Sequence, residues 1–337
     1  MKKTILSFLL SVALLVYIME VIGFGDIAEK LHSLDASVIA SVFILTVAIS
    51  LTDCFKWSLF LFKIRKINIL KIVPIYFAGE LFNALTPGAK SGGEVIKAHY
   101  ISKISGISHS RVYATILLDR SILLFVSFVC VLFSVIYTLL FLEIPLLVTD
   151  LFRVGIGVVV LLSLLIIIVR EHIGRTKHET FFRLLSYVYN FWLFEFLRKR
   201  FVTYKAFENF VVKCFDEFME SLHVLVEHKK GVVLNLFFSL FIFFLVYFRI
   251  WVIFAGLGYE ISIVSIIIVV TLGSFVSYFV LTPGGAGVSE IALISFYVAV
   301  GVDPHIGAIV ALVDRGMYYI VSFGLGYTAN VYMRFKV

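Results

Sequence analysis

Of 337 residues, 61% are hydrophobic and only 15% charged, against about a quarter charged in soluble domains, and the mean hydropathy is +1.06. Apolar runs of membrane-spanning length recur from end to end, which excludes a soluble enzyme and a nucleic-acid binder. The basic balance, 29 Lys and Arg against 22 Asp and Glu, reflects loops kept on the cytoplasmic side of a membrane more than affinity for polyanions.

The chain opens with Met1-Lys2-Lys3 and an apolar run to Gly23, where Glu20 and Phe24 stand in place of the small residues that prepare cleavage. It reads as an uncleaved first span. Full-length candidate helices follow at 4–24, 36–62, 112–142, 151–169, 232–256 and 306–333, each long enough for a hydrocarbon layer of about 30 Å. Two further stretches, 69–104 and 262–302, are each interrupted by Thr-Pro-Gly and read as broken or re-entrant hairpins. Cys54, Cys130 and Cys214 lie far apart without a CxxC or a His partner, so neither a disulfide framework nor a zinc site is expected.

Lys and Arg cluster at 2–3, 63–71, 103–111, along 170–230 and at 334–336, whereas acids occupy 26–35, 143–150, Glu260 and Asp303. By the positive-inside rule both termini are cytoplasmic. Residues 171–230 form a cytoplasmic amphipathic insert. In it Phe207, Phe210, Val211, Phe215, Phe218, Leu222 and Leu225 recur at helical spacing opposite Glu208, Lys213, Asp216 and Glu220. Arg198-Lys199-Arg200 suits anionic headgroups, and a plain positive-inside loop explains it about as well. A crossing at 181–197 would upset the alternation of sides and would carry Arg183 and Glu195.

An internal repeat carries most of the information. Leu85-Thr86-Pro87-Gly88 precedes Glu94, and Leu281-Thr282-Pro283-Gly284 precedes Glu290, each acid seven residues after its proline. A glycine follows in both, Gly106 and Gly301, and then Asp119-Arg120 and Asp314-Arg315, at offsets of 196 and then 195 residues. The charge-based orientation puts the ends of the first hairpin inside and those of the second outside, so the repeats are inverted, as in many secondary transporters. The expected architecture is thus an all-α polytopic membrane protein with six full spans and two broken hairpins. One membrane domain covers 1–337, with 36–142 as first repeat and 232–333 as second.

Both Asp-Arg doublets fall about 12–15 Å deep at 1.5 Å per residue, near the middle of the layer. Each ionised centre there costs roughly 2.5–3.5 kcal/mol, so these charges, with Glu80, Glu94, Glu290 and Arg249, face one another or a wet cavity. They either lock helices together or serve a ligand or proton. Glu94 and Glu290 sit where a carboxylate offsets a helix dipole. The same helix starts, rich in glycine at Gly88, Gly92 and Gly93 and at Gly284, Gly285 and Gly287, expose N–H groups that could cradle a phosphate. Lys90 and Lys97 strengthen the first copy and have no basic counterparts in the second, so an anion site is expected to lean on the first repeat with Arg120 and Arg315. Asp53 and Lys56 read as an intrahelical pair more than a relay, Arg249 as snorkelling or functional in equal measure, and Asn83 as a cap for backbone freed at the break or an amide that meets a headgroup.

Asn83-x3-Pro87-Gly88 with Gly93-Glu94, then Asp119-Arg120, then Pro283-Gly284-Gly285-x-Gly287-x2-Glu290, then Asp314-Arg315 resemble the lysylphosphatidylglycerol synthase transmembrane, or flippase-like, family over nearly the whole chain. The resemblance implies a prokaryotic inner-membrane protein. In some members it is fused to a soluble domain that aminoacylates phosphatidylglycerol, and the membrane part is associated with moving the product between leaflets. No such soluble domain follows here, so the synthase activity is not expected. Lys90 stands near a common Arg of that pattern, and Asp119 and Asp314 replace its usual Glu. The leading expectation is a translocator of an anionic lipid, its phosphate among Lys90, Arg120, Arg315 and the helix starts after the prolines, without cofactor, metal or catalytic residues. The alternatives are a membrane-embedded transferase using a lipid-linked donor, for which no DxD or clustered carboxylates are present, and an accessory protein that docks an enzyme through 171–230.

Overall fold

A computed structural model describes residues 34–86, 91–141, 203–277, 280 and 282–336. The spans expected at 4–24 and 151–169, the segment 181–197 and the candidate residues Pro87, Gly88 and Lys90 lie outside the described residues. Within them the regular structure is nine helices: α1 (Ala36–Ile64), α2 (Ile69–Leu85), α3 (Ser91–Ser105), α4 (His109–Phe141), α5 (Tyr204–Glu227), α6 (Lys229–Gly256), α7 (Ile263–Ser277), α8 (Val288–Ala299) and α9 (Pro304–Lys336). The chain divides into two units, residues 1–143 with 221–337, and residues 144–220. Of the second, the described part is 203–220, where α5 begins at the amphipathic pattern read from the sequence.

Four of these helices, α1, α4, α6 and α9, are long and apolar enough to cross a membrane, and α7 and α8 are shorter apolar helices. Large apolar side chains such as Phe125, Phe237, Phe244 and Ile320 stand more than half exposed on them, the surface expected of helices solvated by lipid rather than water. Both Thr-Pro-Gly sequences fall between two short helices. Proline removes a donor and disfavours helix in the residue before it, which ends α2 at Leu85 and separates α7 from α8.

Local signals set the other boundaries. Asn68 caps α2, its Oδ1 accepting from the Leu70 N–H at 2.9 Å. Asp303 caps α9, accepting from the His305 and Ile306 N–H groups at 2.9 and 3.3 Å, with Pro304 in the first helical position. Gly106 and Gly301, matched in the sequence repeat, stand directly after α3 and near the end of α8 at φ 71° and 87°, a left-handed conformation that lets the chain leave the helix.

The succession long, short, short, long occurs twice: 29, 17, 15 and 33 residues in α1 to α4, and 28, 15, 12 and 33 in α6 to α9. Each set has its own core. Trp57, Ile75, Ile101 and Val112 anchor the first, which also takes Met333 from α9; Phe254, Val269, Tyr297 and Val310 anchor the second, which also takes Val42 from α1. The main packings form pairs: α2 with α9 and α7 with α4, α3 with α4 and α8 with α9, α1 with α4 and α6 with α9, α1 with α2 and α6 with α7, α2 with α3 and α7 with α8, α6 with α4 and α1 with α9. The remaining one joins α1 to α6. Exchanging the two sets leaves this whole pattern unchanged.

Small residues bring the helices close, as packing without a hydrophobic driving force requires. A Cβ on Gly93 of α3 would lie 2.2 Å from the Gly79 carbonyl of α2, and one on Gly326 of α9 would lie 2.8 Å from the Phe77 carbonyl of α2.

Candidate functional site

The packing pattern brings charged side chains of both sets around one cavity of about 240 Å³. Asp53, Glu80, Asn83 and Arg120 line it from the first set, and Arg249, Ser277, Gly284, Gly285, Asp314 and Arg315 from the second. The second break meets the end of α2 here: Gly284 has φ 61°, and a Cβ on it would lie 3.1 Å from the Ala84 carbonyl. A residue without a side chain lets the second break approach α2 so closely.

In the first set the charges are linked in a chain of ion pairs. Lys56, fully buried, lies 3.2 Å from both Asp53 and Asp119. The Asn235 amide donates to Asp119 at 2.7 Å, and the Tyr76 hydroxyl to Asp53 at 2.6 Å. Arg120 meets Glu94 at 2.9 Å and Asp53 at 3.5 Å. Lys97 lies 3.4 Å from both Glu80 and Glu94 and 4.4 Å above the Tyr76 ring, where burial strengthens the cation–π attraction. Asn83 does what a cap at the break should do: its Oδ1 accepts from the Gly93 N–H at 2.8 Å and its amide donates to Glu80 at 3.0 Å.

The second set is sparser. Arg249 pairs with Asp314 at 2.5 Å and donates to the Thr46 hydroxyl at 3.0 Å. Glu290 is turned into its own helix start, accepting from the Gly287 N–H at 2.7 Å and from Ser289 at 3.1 Å, with the Tyr319 hydroxyl at 3.4 Å. Arg315 donates to the Ser277 hydroxyl at 2.9 Å. Its Nε is buried without a hydrogen-bond partner, and no carboxylate of the described residues is within ion-pair distance of it.

Of the residues singled out from sequence, Asn83, Arg120, Gly284, Gly285, Asp314 and Arg315 line the cavity. Gly93, Glu94, Asp119, Pro283, Gly287 and Glu290 are not among the lining residues; Gly93 and Glu94 hold two that are, Asn83 and Arg120. Neighbouring Asp and Arg of each doublet serve different partners, because successive side chains on a helix point about 100° apart. The two sets also correspond residue by residue. Lys56 and Arg249 are each the twenty-first residue of their helix, and the aspartates they meet, Asp119 and Asp314, each the eleventh of theirs.

Two residues carry more than the sequence indicated. Arg249 does not snorkel: it is 7% exposed and ion-paired in the interior. Lys56 reaches beyond Asp53 to α4. Their spacing of 193 residues, close to the 195 and 196 of the motif repeat, was the available signal.

The lysylphosphatidylglycerol synthase TM region, as a protein family, matches residues 4–326. The chain belongs to this family. It resembles a UPF0104 membrane protein of Methanothermobacter thermautotrophicus, 24% identical over 98% of this chain and 95% of the relative. A second, from Methanocaldococcus jannaschii, is 25% identical over 100% and 96%, and a third, from Pyrococcus horikoshii, is 26% identical over 80% and 79%. Family membership and the four apolar helices together make it an integral membrane protein. Among the described residues no three His, Cys, Asp or Glu side chains are grouped to hold a metal ion.

Proposed function

We propose that this protein moves an anionic amphiphile, most simply a phospholipid, between leaflets of the plasma membrane. The observation that carries this reading is the cavity shared by both helix sets, in which Arg315 has a hydroxyl and, among the described residues, no carboxylate for a partner. A phosphate on Arg315 would complete the guanidinium's hydrogen bonding with charge-assisted bonds, which are stronger than neutral ones. The lean expected from sequence shifts accordingly. Arg120 and Lys97 already face carboxylates, so the anion belongs mainly to the second set, with the Gly284–Gly285 turn beside it.

The matched succession of helices and the exchange-invariant packing support two inverted repeats, with residues 36–142 and 232–333 as the halves and the cavity near the bilayer midplane. Both termini lie in the cytoplasm in this reading, and residues 171–230 lie along the inner surface. Rocking one half against the other would open the cavity to alternate leaflets, with the acyl chains remaining in lipid.

Reconstitution into liposomes with labelled phospholipids tests the proposal. Leaflet exchange of an anionic lipid is expected to exceed that of empty vesicles, and Arg315→Ala to reduce it at least tenfold. Exchange no faster than in protein-free vesicles over a broad anionic panel would reject it.

A further inference from the structure

The cavity lies off centre with respect to the correspondence between the halves. Thr46 and Ser239 are each the eleventh residue of their helices, Lys56 and Arg249 each the twenty-first, and Trp57 and Ile250 each the twenty-second. α1 and α6 run antiparallel, since Thr46 accepts from Arg249 and the Lys56 carbonyl accepts from Asn235 at 3.2 Å. From Ile49 to Asp53 on α1 and from Ile242 to Val246 on α6 the lining residues correspond pairwise. Beyond that stretch they do not. Thr46, Arg249 and Ile250 line the cavity, whereas their counterparts Ser239, Lys56 and Trp57 do not. The cavity therefore extends toward the side where α1 begins and stops short of the side where α1 ends.

The side it stops short of carries unfinished polar groups. Lys56 and Ser239 are both 0% exposed. Lys56 Nζ has its two ion pairs but no hydrogen-bond partner, and neither Ser239 Oγ nor Asn235 Oδ1 has one among the described residues. At the corresponding place the bond is made, Arg249 donating to the Thr46 hydroxyl at 3.0 Å. A buried polar group left unpaired costs about 1–3 kcal/mol, so three of them at one helix crossing mark a place that another arrangement completes. Contact between α2 and α9 closes this side. A Cβ on Gly326 would lie 2.8 Å from both the Phe77 carbonyl and Leu81, and Met333 of α9 shares a core with Trp57 and Leu61. The counterpart of Gly326 in α4 is Val131, each the twenty-third residue of its helix, and α4 packs less extensively on α7 than α9 does on α2.

We propose that the cavity has a second position, reached when α2 and α9 part, which Lys56, Trp57 and Ser239 line in place of Arg249, Ile250 and Thr46. In it Lys56 and Ser239 meet water entering from the side where α1 ends, while α4 and α7 close the first position. An anionic headgroup arriving there finds the Lys56 ammonium where Arg249 stands in the first position, beside a hydroxyl in both. The headgroup is taken from the transport reading and rests on it; the two positions are read from the packing alone.

Labelling with a membrane-impermeant methanethiosulfonate tests this, in right-side-out and inverted membrane vesicles holding the full chain with Cys54, Cys130 and Cys214 replaced by alanine. Thr46→Cys is expected to react from the side where α1 begins, and Ser239→Cys from the side where α1 ends. Gly326→Val gives α9 the side chain of its counterpart and pushes it from α2. It is expected to speed labelling of Ser239→Cys about threefold and to slow that of Thr46→Cys as much, because both positions draw on one population. Should Gly326→Val not elute as a single species, the sidedness of the two cysteines decides alone. Ser239→Cys unlabelled from both sides, or labelled from the same side as Thr46→Cys, overturns the second position. Rates that rise together in Gly326→Val, or do not change, overturn it as well. Reciprocal labelling beside failed leaflet exchange removes the transport reading and keeps the second position.

Discussion

Arg249 and Asp314 share an interior position in which neither can stand alone. Removing one partner of a buried pair strands the other charge and costs about 3–5 kcal/mol, whereas replacing both by apolar residues of similar volume is close to neutral. Arg249→Ala is therefore expected to lower the denaturation midpoint in detergent sharply, and the double variant Arg249→Met with Asp314→Leu to recover all but about 1 kcal/mol. An equal loss in both proteins would show that the pair itself, not its balance, stabilises the fold. At this scale the sequence was half legible. The Asp119-Arg120 and Asp314-Arg315 doublets announced themselves by depth and repetition. Their partners did not, because Lys56, Glu94 and Arg249 lie on other helices, and a single chain without known packing does not say which helices touch.

Helices and breaks were the most legible level, since each rests on local chemistry. Proline ended α2, Asn68 and Asp303 supplied caps, and Gly106 and Gly301 supplied the left-handed exits. The packing of α2 against α9 was not legible. It depends on Gly326, whose missing side chain admits the Phe77 carbonyl, and nothing around Gly326 in sequence marks it as a contact. Gly284 combines both kinds of information. Alanine there meets an unfavourable φ of 61° and the Ala84 carbonyl at 3.1 Å, so Gly284→Ala is expected to cost about 1–3 kcal/mol. Thermal unfolding in detergent measures this, with Gly316→Ala, which has open space around its Cβ position, as the variant expected to change little. Equal behaviour of the two would mean that the breaks do not bear on each other.

For the whole molecule, the correspondence between halves has a direct consequence. A state in which each half adopts the arrangement of the other would satisfy the same packing list, because exchange of α1–α4 with α6–α9 maps that list onto itself. Two such states are close in energy when their contacts are of the same kind, and a ligand with a modest preference for one can then shift the balance. Charged residues of the first half without a counterpart, Asp53, Glu80 and Lys97 among them, break this equality.

A cavity lined by charged residues of both helix sets also bears on how the protein would respond to voltage. An anion crossing alone would gain or lose about 2.3 kcal/mol per 100 mV, about fifty-fold in its distribution between leaflets. Leaflet exchange of an anionic lipid in vesicles clamped with valinomycin is therefore expected to follow membrane potential, and a distribution that ignores it would show that a compensating charge crosses with the lipid.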